Sequence, residues 1–222
     1  MSEARTSSEL ENANKTDFDM IQHAWDFAVR EHGDQKYGGT EMPYRYHLAK
    51  VAQKLLRDGH NAHVINAGIL HDVLENVGGM TVERLYEEDF SYATVRGVVG
   101  ATIAPEELAL GSVIRKLVVK RAKTNSISWV VKHADSTVNL EAGETLPKKI
   151  GNPELRREKY DGYVTGLKEG LPTCTQVEED IQKVYGEAAV EEGKLSPDDR
   201  DRWINKFETM INDLEEEFKE AA

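Results

Sequence analysis

An all-α bundle with additional C-terminal helices is the fold class this sequence predicts, on three observations. Apolar residues recur at three- and four-residue spacing through most of the chain, whereas the alternation of a half-buried strand is scarce. Glycine and proline interrupt the periodic segments and mark where each helix stops. The 222 residues, 39% apolar and 31% charged, are enough to bury a core beneath a charged surface.

Residues 1–16 are polar, include acids and lack the apolar run of a secretory signal, so they read as a flexible tail. Asp17 begins the first helix, with Ile21, Ala24, Trp25 and Ala28 on one face. "GDQKYGGTEMP" is a loop, broken by three glycines and a proline, and "YRYHLAKVAQKLLRDG" is a second helix ended by Gly59. "NAHVINAGILHDVLENVGG" predicts a third helix, apolar nearly all round as a buried central helix is. "TVERLYEED" is a short helix, and "YATVRGVVGATIA" fits either a helix or an extended segment. Pro105 followed by Glu106 and Glu107 starts another helix, with proline and acids in its first turn. "SISWVVKHADSTVNLEAG" is a further buried helix, and Pro153 opens one that ends at Gly170. Two acidic amphipathic helices are expected over 176–193 and 197–221. The second has Ser196 as N-cap and a stripe of Trp203, Phe207, Ile211, Leu214 and Phe218. The expected organisation is a tail over 1–16, a main domain over 17–170 and an acidic helical extension over 171–222.

The net charge is −12, and residues 171–222 hold 15 acids against 6 bases. That balance argues against binding bulk nucleic acid, which needs a cationic surface. No stretch approaches the roughly 20 apolar residues of a membrane span. A lone cysteine, Cys174, forms no internal disulfide, so a cytoplasmic protein is expected.

The chemistry concentrates in "GILHDVLEN". On a continuous helix His71 and Glu75 share a face, as do Asp72 and Glu75, and imidazole with carboxylate is a transition-metal donor mixture. The structural alternative is a buried histidine paired with an aspartate. A polar trio on a buried helix is costly unless paired or metal-bound. His47 on the preceding helix and Asp135 in "WVVKHADSTVNL" complete a His₂Asp₂ set drawn from three helices. His133 reads as a packing residue. The densest cationic run, "RKLVVKRAK", is a solvated helix face or, through Lys120 and Arg121, a contact for polyphosphate.

The order H…HD…D resembles the HD-domain metal phosphohydrolases. The flanking segments narrow the resemblance to the small alarmone hydrolases and the (p)ppGpp hydrolase domain of RelA/SpoT enzymes. "AWDFAVREHGDQKYGGTEMPYRYHLAKVA", "NAGILHDVLEN", "VKHADSTVNL" and "REKYDGY" carry it, in order, over roughly residues 18–170. It implies an HD-type hydrolase domain in which His47, His71, Asp72 and Asp135 hold a divalent ion, typically Mn²⁺. Glu75 and residue 76 match the family's catalytic acidic pair, and Lys36, Tyr46 and Asn139 are candidates for holding a small phosphorylated nucleotide. Residue 76 departs from the pattern: Asn76 stands where active members usually have Asp, and an amide cannot ionise to act as a base. The implied reaction removes the 3′-pyrophosphate of (p)ppGpp. The alternatives are another phosphorylated nucleotide such as NADPH, or a non-catalytic nucleotide-binding or interaction protein. Self-association into a homo-oligomer is left open.

Overall fold

The computed structural model describes residues 17–145 and 153–220, so the tail expected over 1–16 lies outside the described residues. The described chain is all-α, and its only β pairing is one isolated bridge between Lys36 and Pro43. Helices α1 (Asp17–His32), α2 (Tyr44–Arg57) and α3 (Ala62–Leu70) are followed by the single turn α4 (Val73–Asn76). Then come α5 (Val82–Glu87), α6 (Tyr92–Ala101), a 3₁₀ segment Pro105–Val113 and α7 (Ile114–Ala122). Helices α8 (Ser126–Thr145), α9 (Pro153–Lys168), α10 (Cys174–Tyr185), α11 (Glu187–Glu192) and α12 (Pro197–Glu220) complete the order.

Side-chain caps start several of these helices. Asn61 accepts from the Val64 N–H at 3.2 Å, Ser91 from Thr94 at 3.2 Å and Ser196 from Asp199 at 3.1 Å, each satisfying an amide that helix geometry leaves unpaired. Helix α3 is buried along its whole length, which accounts for its apolar surround. Gly68 lets α2 approach it: a Cβ there would lie 2.3 Å from a Leu55 methyl. One core joins Ile21 and Phe27 of α1, Leu48 and Leu55 of α2, Ile65 and Ile69 of α3, Val95 of α6 and Val131 of α8. Trp203, Phe207, Ile211 and Leu214 of α12 belong to that same core. A smaller cluster of Ile103, Val118, Ala122, Tyr163 and Leu167 ties α7 to α9.

Three expectations are corrected, and one left open is decided. The helix expected over 61–79 breaks at His71 and Asp72, where Asp72 takes φ −102° and ψ −2°. The segment after Pro105 is a 3₁₀ run before it becomes α7. "YATVRGVVGATIA" is helical only to Ala101. The helix over 176–193 is divided at Gly186, whose φ of +92° lies outside helical space.

Candidate metal centre

Helix α2 delivers His47 to the centre, the α3–α4 break delivers His71 and Asp72, and α8 delivers Asp135; all four are buried. His71 Nε2 lies 3.0 Å from Asp72 Oδ2, 3.3 Å from His47 Nε2 and 3.5 Å from Asp135 Oδ1. His47 Nε2 lies 3.3 Å from Asp135 Oδ1 and 3.7 Å from Asp72 Oδ2. Donors about 2.1 Å from one shared ion stand about 3.0–3.4 Å apart, and the donor atoms of His47, His71 and Asp72 come near that spacing, with Asp135 Oδ1 beside both histidines. His71 Nδ1 donates to the Gly68 carbonyl at 2.7 Å, which points the Nε2 lone pair of the neutral ring at the cluster. The nitrogen–oxygen mixture suits Mn, Fe or Zn. The residues present therefore fit a divalent metal.

Electrostatics agree with that fit. Burial by itself lowers the His71 pKa, but the Asp72 and Asp135 carboxylates outweigh it and raise it to about 10. Burial opposes ionisation of Asp72, yet His71 holds it well below the usual carboxylate range. Asp135 is likewise held low against burial, first by the Lys132 ammonium.

A cleft of about 180 Å³ is lined by His47, Asp72 and Asp135, and Glu75, Asn76, Lys132 and Asn139 share its lining with Tyr37, Tyr44, Lys159, Tyr160 and Tyr163. Glu75 Oε2 accepts from the Ile103 N–H at 3.0 Å. Burial raises the Glu75 pKa, with Lys132 pulling the other way. Asn76 donates from Nδ2 to the Tyr44 hydroxyl at 2.8 Å, and Tyr44 donates to Asp72 Oδ2. Asn139 donates to Asp135 Oδ1 at 2.6 Å and accepts from the Tyr37 hydroxyl at 2.9 Å.

Four of the residues singled out for substrate do not line this cleft. Lys36 is exposed, and its backbone pairs with Pro43 at the base of the glycine loop. Tyr46 turns its hydroxyl to Glu215 of α12, 2.8 Å away. Lys120 is exposed, and Arg121 is engaged by Glu107 and the Thr102 carbonyl. Sequence reasoning passed over Lys132, whose Nζ is 3.0 Å from Asp135 Oδ2, and over Tyr44 and Tyr37. A signal existed for two of these: Lys132 is three residues before Asp135 and Tyr44 three before His47, each on the ligand's own helix face.

No family model matches the chain. Over 82 residues, 37% of the chain, it is 39% identical to the guanosine-3′,5′-bis(diphosphate) 3′-pyrophosphohydrolase of Aquifex aeolicus (strain VF5). Over 137 residues, 60% of the chain, it is 30% identical to the probable GTP pyrophosphokinase of Mycobacterium leprae (strain TN). The chain spans only 11% and 17% of the lengths of these two relatives. A solved structure of a metazoan ortholog of SpoT, which hydrolyses ppGpp and plays a role in starvation responses, superposes with a TM-score of 0.58 at 17% identity. The match covers 83% of this chain and 99% of that one and establishes a shared fold. In sequence and in fold, then, the chain resembles the RelA/SpoT-type (p)ppGpp hydrolases.

Proposed function

We propose that the chain is a metal-dependent phosphohydrolase that removes the 3′-pyrophosphate of (p)ppGpp, its catalytic unit built on residues 17–170. The observation that carries this reading is the cluster of His47, His71 and Asp72 donors, with Asp135 beside both histidines, against a cleft lined by His47, Asp72, Asp135 and Glu75. The names of the relatives supply the substrate.

His47, His71, Asp72 and Asp135 would hold the ion, Mn²⁺ in this proposal. Such an ion supplies Lewis acidity and lowers the pKa of water from about 16 towards 7. In the reaction, water adds to the phosphorus joined to the ribose 3′-oxygen, the P–O3′ bond breaks, and pyrophosphate leaves. Glu75 is the proton carrier, taking a proton from the attacking water or delivering one to the departing 3′-oxygen. Its raised pKa, caused by burial, brings it towards the operating pH, where a general acid or base works best. One of its oxygens is tied to the Ile103 N–H, which fixes the carboxylate in the lining of the cleft. Lys132 puts a buried positive charge at the cleft wall, where charge grows on the phosphoryl oxygens. Asn76 cannot take the proton and instead donates to Tyr44.

Incubation of the pure protein with Mn²⁺ and ppGpp, and in parallel with a panel of phosphorylated nucleotides including NADPH, tests the substrate. Pyrophosphate release from ppGpp that falls by about 10²–10⁴-fold in Glu75→Gln, with Mn²⁺ binding retained, supports the proposal. Turnover of another panel member alone would reassign the substrate, and binding without turnover would make the chain a nucleotide-binding protein.

A further inference from the structure

We propose that two tyrosine–asparagine relays, Asn76→Tyr44→Asp72 and Tyr37→Asn139→Asp135, are positioning devices that set the two carboxylates of the metal centre. This inference rests on the metal reading above and deepens it. It also assigns Asn76 and Asn139 work inside the protein.

An ionised carboxylate only accepts hydrogen bonds, so the Tyr44 proton goes to Asp72. The Tyr44 oxygen is then left to accept, and the Asn76 amide donates to it at 2.8 Å. Direction therefore runs one way along the chain, from amide to hydroxyl to carboxylate. Gln35 holds the Asn76 main chain by donating to its backbone carbonyl at 2.8 Å. The Tyr44 ring is clamped by stacking on His32, with centroids 4.4 Å apart and planes 14° from parallel. The second relay has the same polarity. Tyr37 donates to Asn139 Oδ1 at 2.9 Å, and Asn139 donates to Asp135 Oδ1 at 2.6 Å. Tyr37 also stacks on His47, with centroids 4.7 Å apart and planes 8° from parallel, so this one ring steadies two ligands.

The polarity explains why residue 76 is an amide here. A carboxylate at this position would accept the single Tyr44 proton and compete with Asp72 for it. The hydrogen bond that orients Asp72 would then be shared or lost. Partners of this kind hold a ligand's rotamer, and losing one typically weakens metal binding by about 10–100-fold.

The test is Mn²⁺ affinity, read from the electron paramagnetic resonance signal of free Mn²⁺, with circular dichroism confirming that each variant folds. Tyr44→Phe keeps the ring and its stack on His32 while deleting one hydroxyl. It is expected to weaken Mn²⁺ binding by about 10–100-fold, and so is Asn139→Leu. The decisive comparison is Asn76→Asp made in the wild type and in the Tyr44→Phe background. The added charge alone favours a cation equally in both, whereas loss of the tyrosine proton operates only where Tyr44 is present. The effect of Asn76→Asp is therefore expected to be several-fold less favourable to Mn²⁺ in the wild type. Equal effects in the two backgrounds, or Tyr44→Phe binding Mn²⁺ like wild type, would overturn the first relay, and Asn139→Leu binding Mn²⁺ like wild type would overturn the second, each leaving the metal centre standing. Failure of the wild type to bind Mn²⁺, or binding unchanged in His71→Ala, would overturn the metal reading and the relays with it.

Discussion

In the metal-free protein the imidazole of His71 lies between two carboxylates with its pKa raised to about 10, whereas a metal ligand must be neutral. The folded pKa stands above the ordinary 6.5. His71 therefore stabilises the metal-free fold fully below pH 6.5, and that contribution is lost as pH rises through about 10. Under the proposed function, Mn²⁺ would displace that proton. Calorimetry near pH 7.5, repeated in buffers of different ionisation enthalpy, is expected to show about one proton released per Mn²⁺ bound. The rise in Tm on adding Mn²⁺ is expected to grow as pH is raised from 6.5 towards 9. Binding with no proton release would mean that His71 is not a ligand.

At the level of elements, the break between α3 and α4 is what lets two adjacent residues serve one centre. On an unbroken helix His71 and Asp72 would point about 100° apart. With Asp72 in the bridge region of backbone space, both reach the same point. Gly68 supports the break twice, through its carbonyl under His71 and through the close approach of Leu55. Gly68→Ala forces the Leu55 methyl aside and is expected to cost about 1–3 kcal/mol in urea denaturation, with weaker Mn²⁺ binding. An unchanged midpoint would show that the packing is looser than described. Most helices were legible in the sequence, and so were the residue types that the fold brings together at His47, His71 and Asp72, because periodicity and residue type are local signals. The break was not: a run apolar on every side gives no phase change where a helix stops. Nor could the density of the 115–123 cations say which way α7 faces. In the fold Lys123 donates to the Glu169 carbonyl at 3.1 Å and covers the Trp129 ring. Tyr46 was misread for a related reason, since its hydroxyl partner lies 169 residues away on α12.

Across the whole molecule, the acidic C-terminal helix is part of the core against which α2 packs. Trp203 and Phe207 are fully buried, and Phe207 meets Trp25 of α1 edge-on at 5.0 Å. Glu215 takes the Tyr46 hydroxyl at 2.8 Å and the Lys50 ammonium at 3.2 Å, while Arg200 donates to the Leu56 carbonyl at 2.9 Å. All three of those partners are on α2, which carries His47 and Tyr44. Trp203→Ala is expected to cost about 3–5 kcal/mol and to lower a single unfolding transition seen alike by fluorescence and circular dichroism. A separate early transition would mean that the C-terminal helices unfold by themselves. Among the described residues no helix is long and apolar enough to cross a membrane. The most direct measurement of the central claim is chromatographic quantification of products from ppGpp incubated with Mn²⁺-loaded protein. Formation of GDP and pyrophosphate in equal amounts, abolished by chelator and by His71→Ala, is the result predicted here. Intact ppGpp after prolonged incubation with folded, Mn²⁺-bound protein would contradict it.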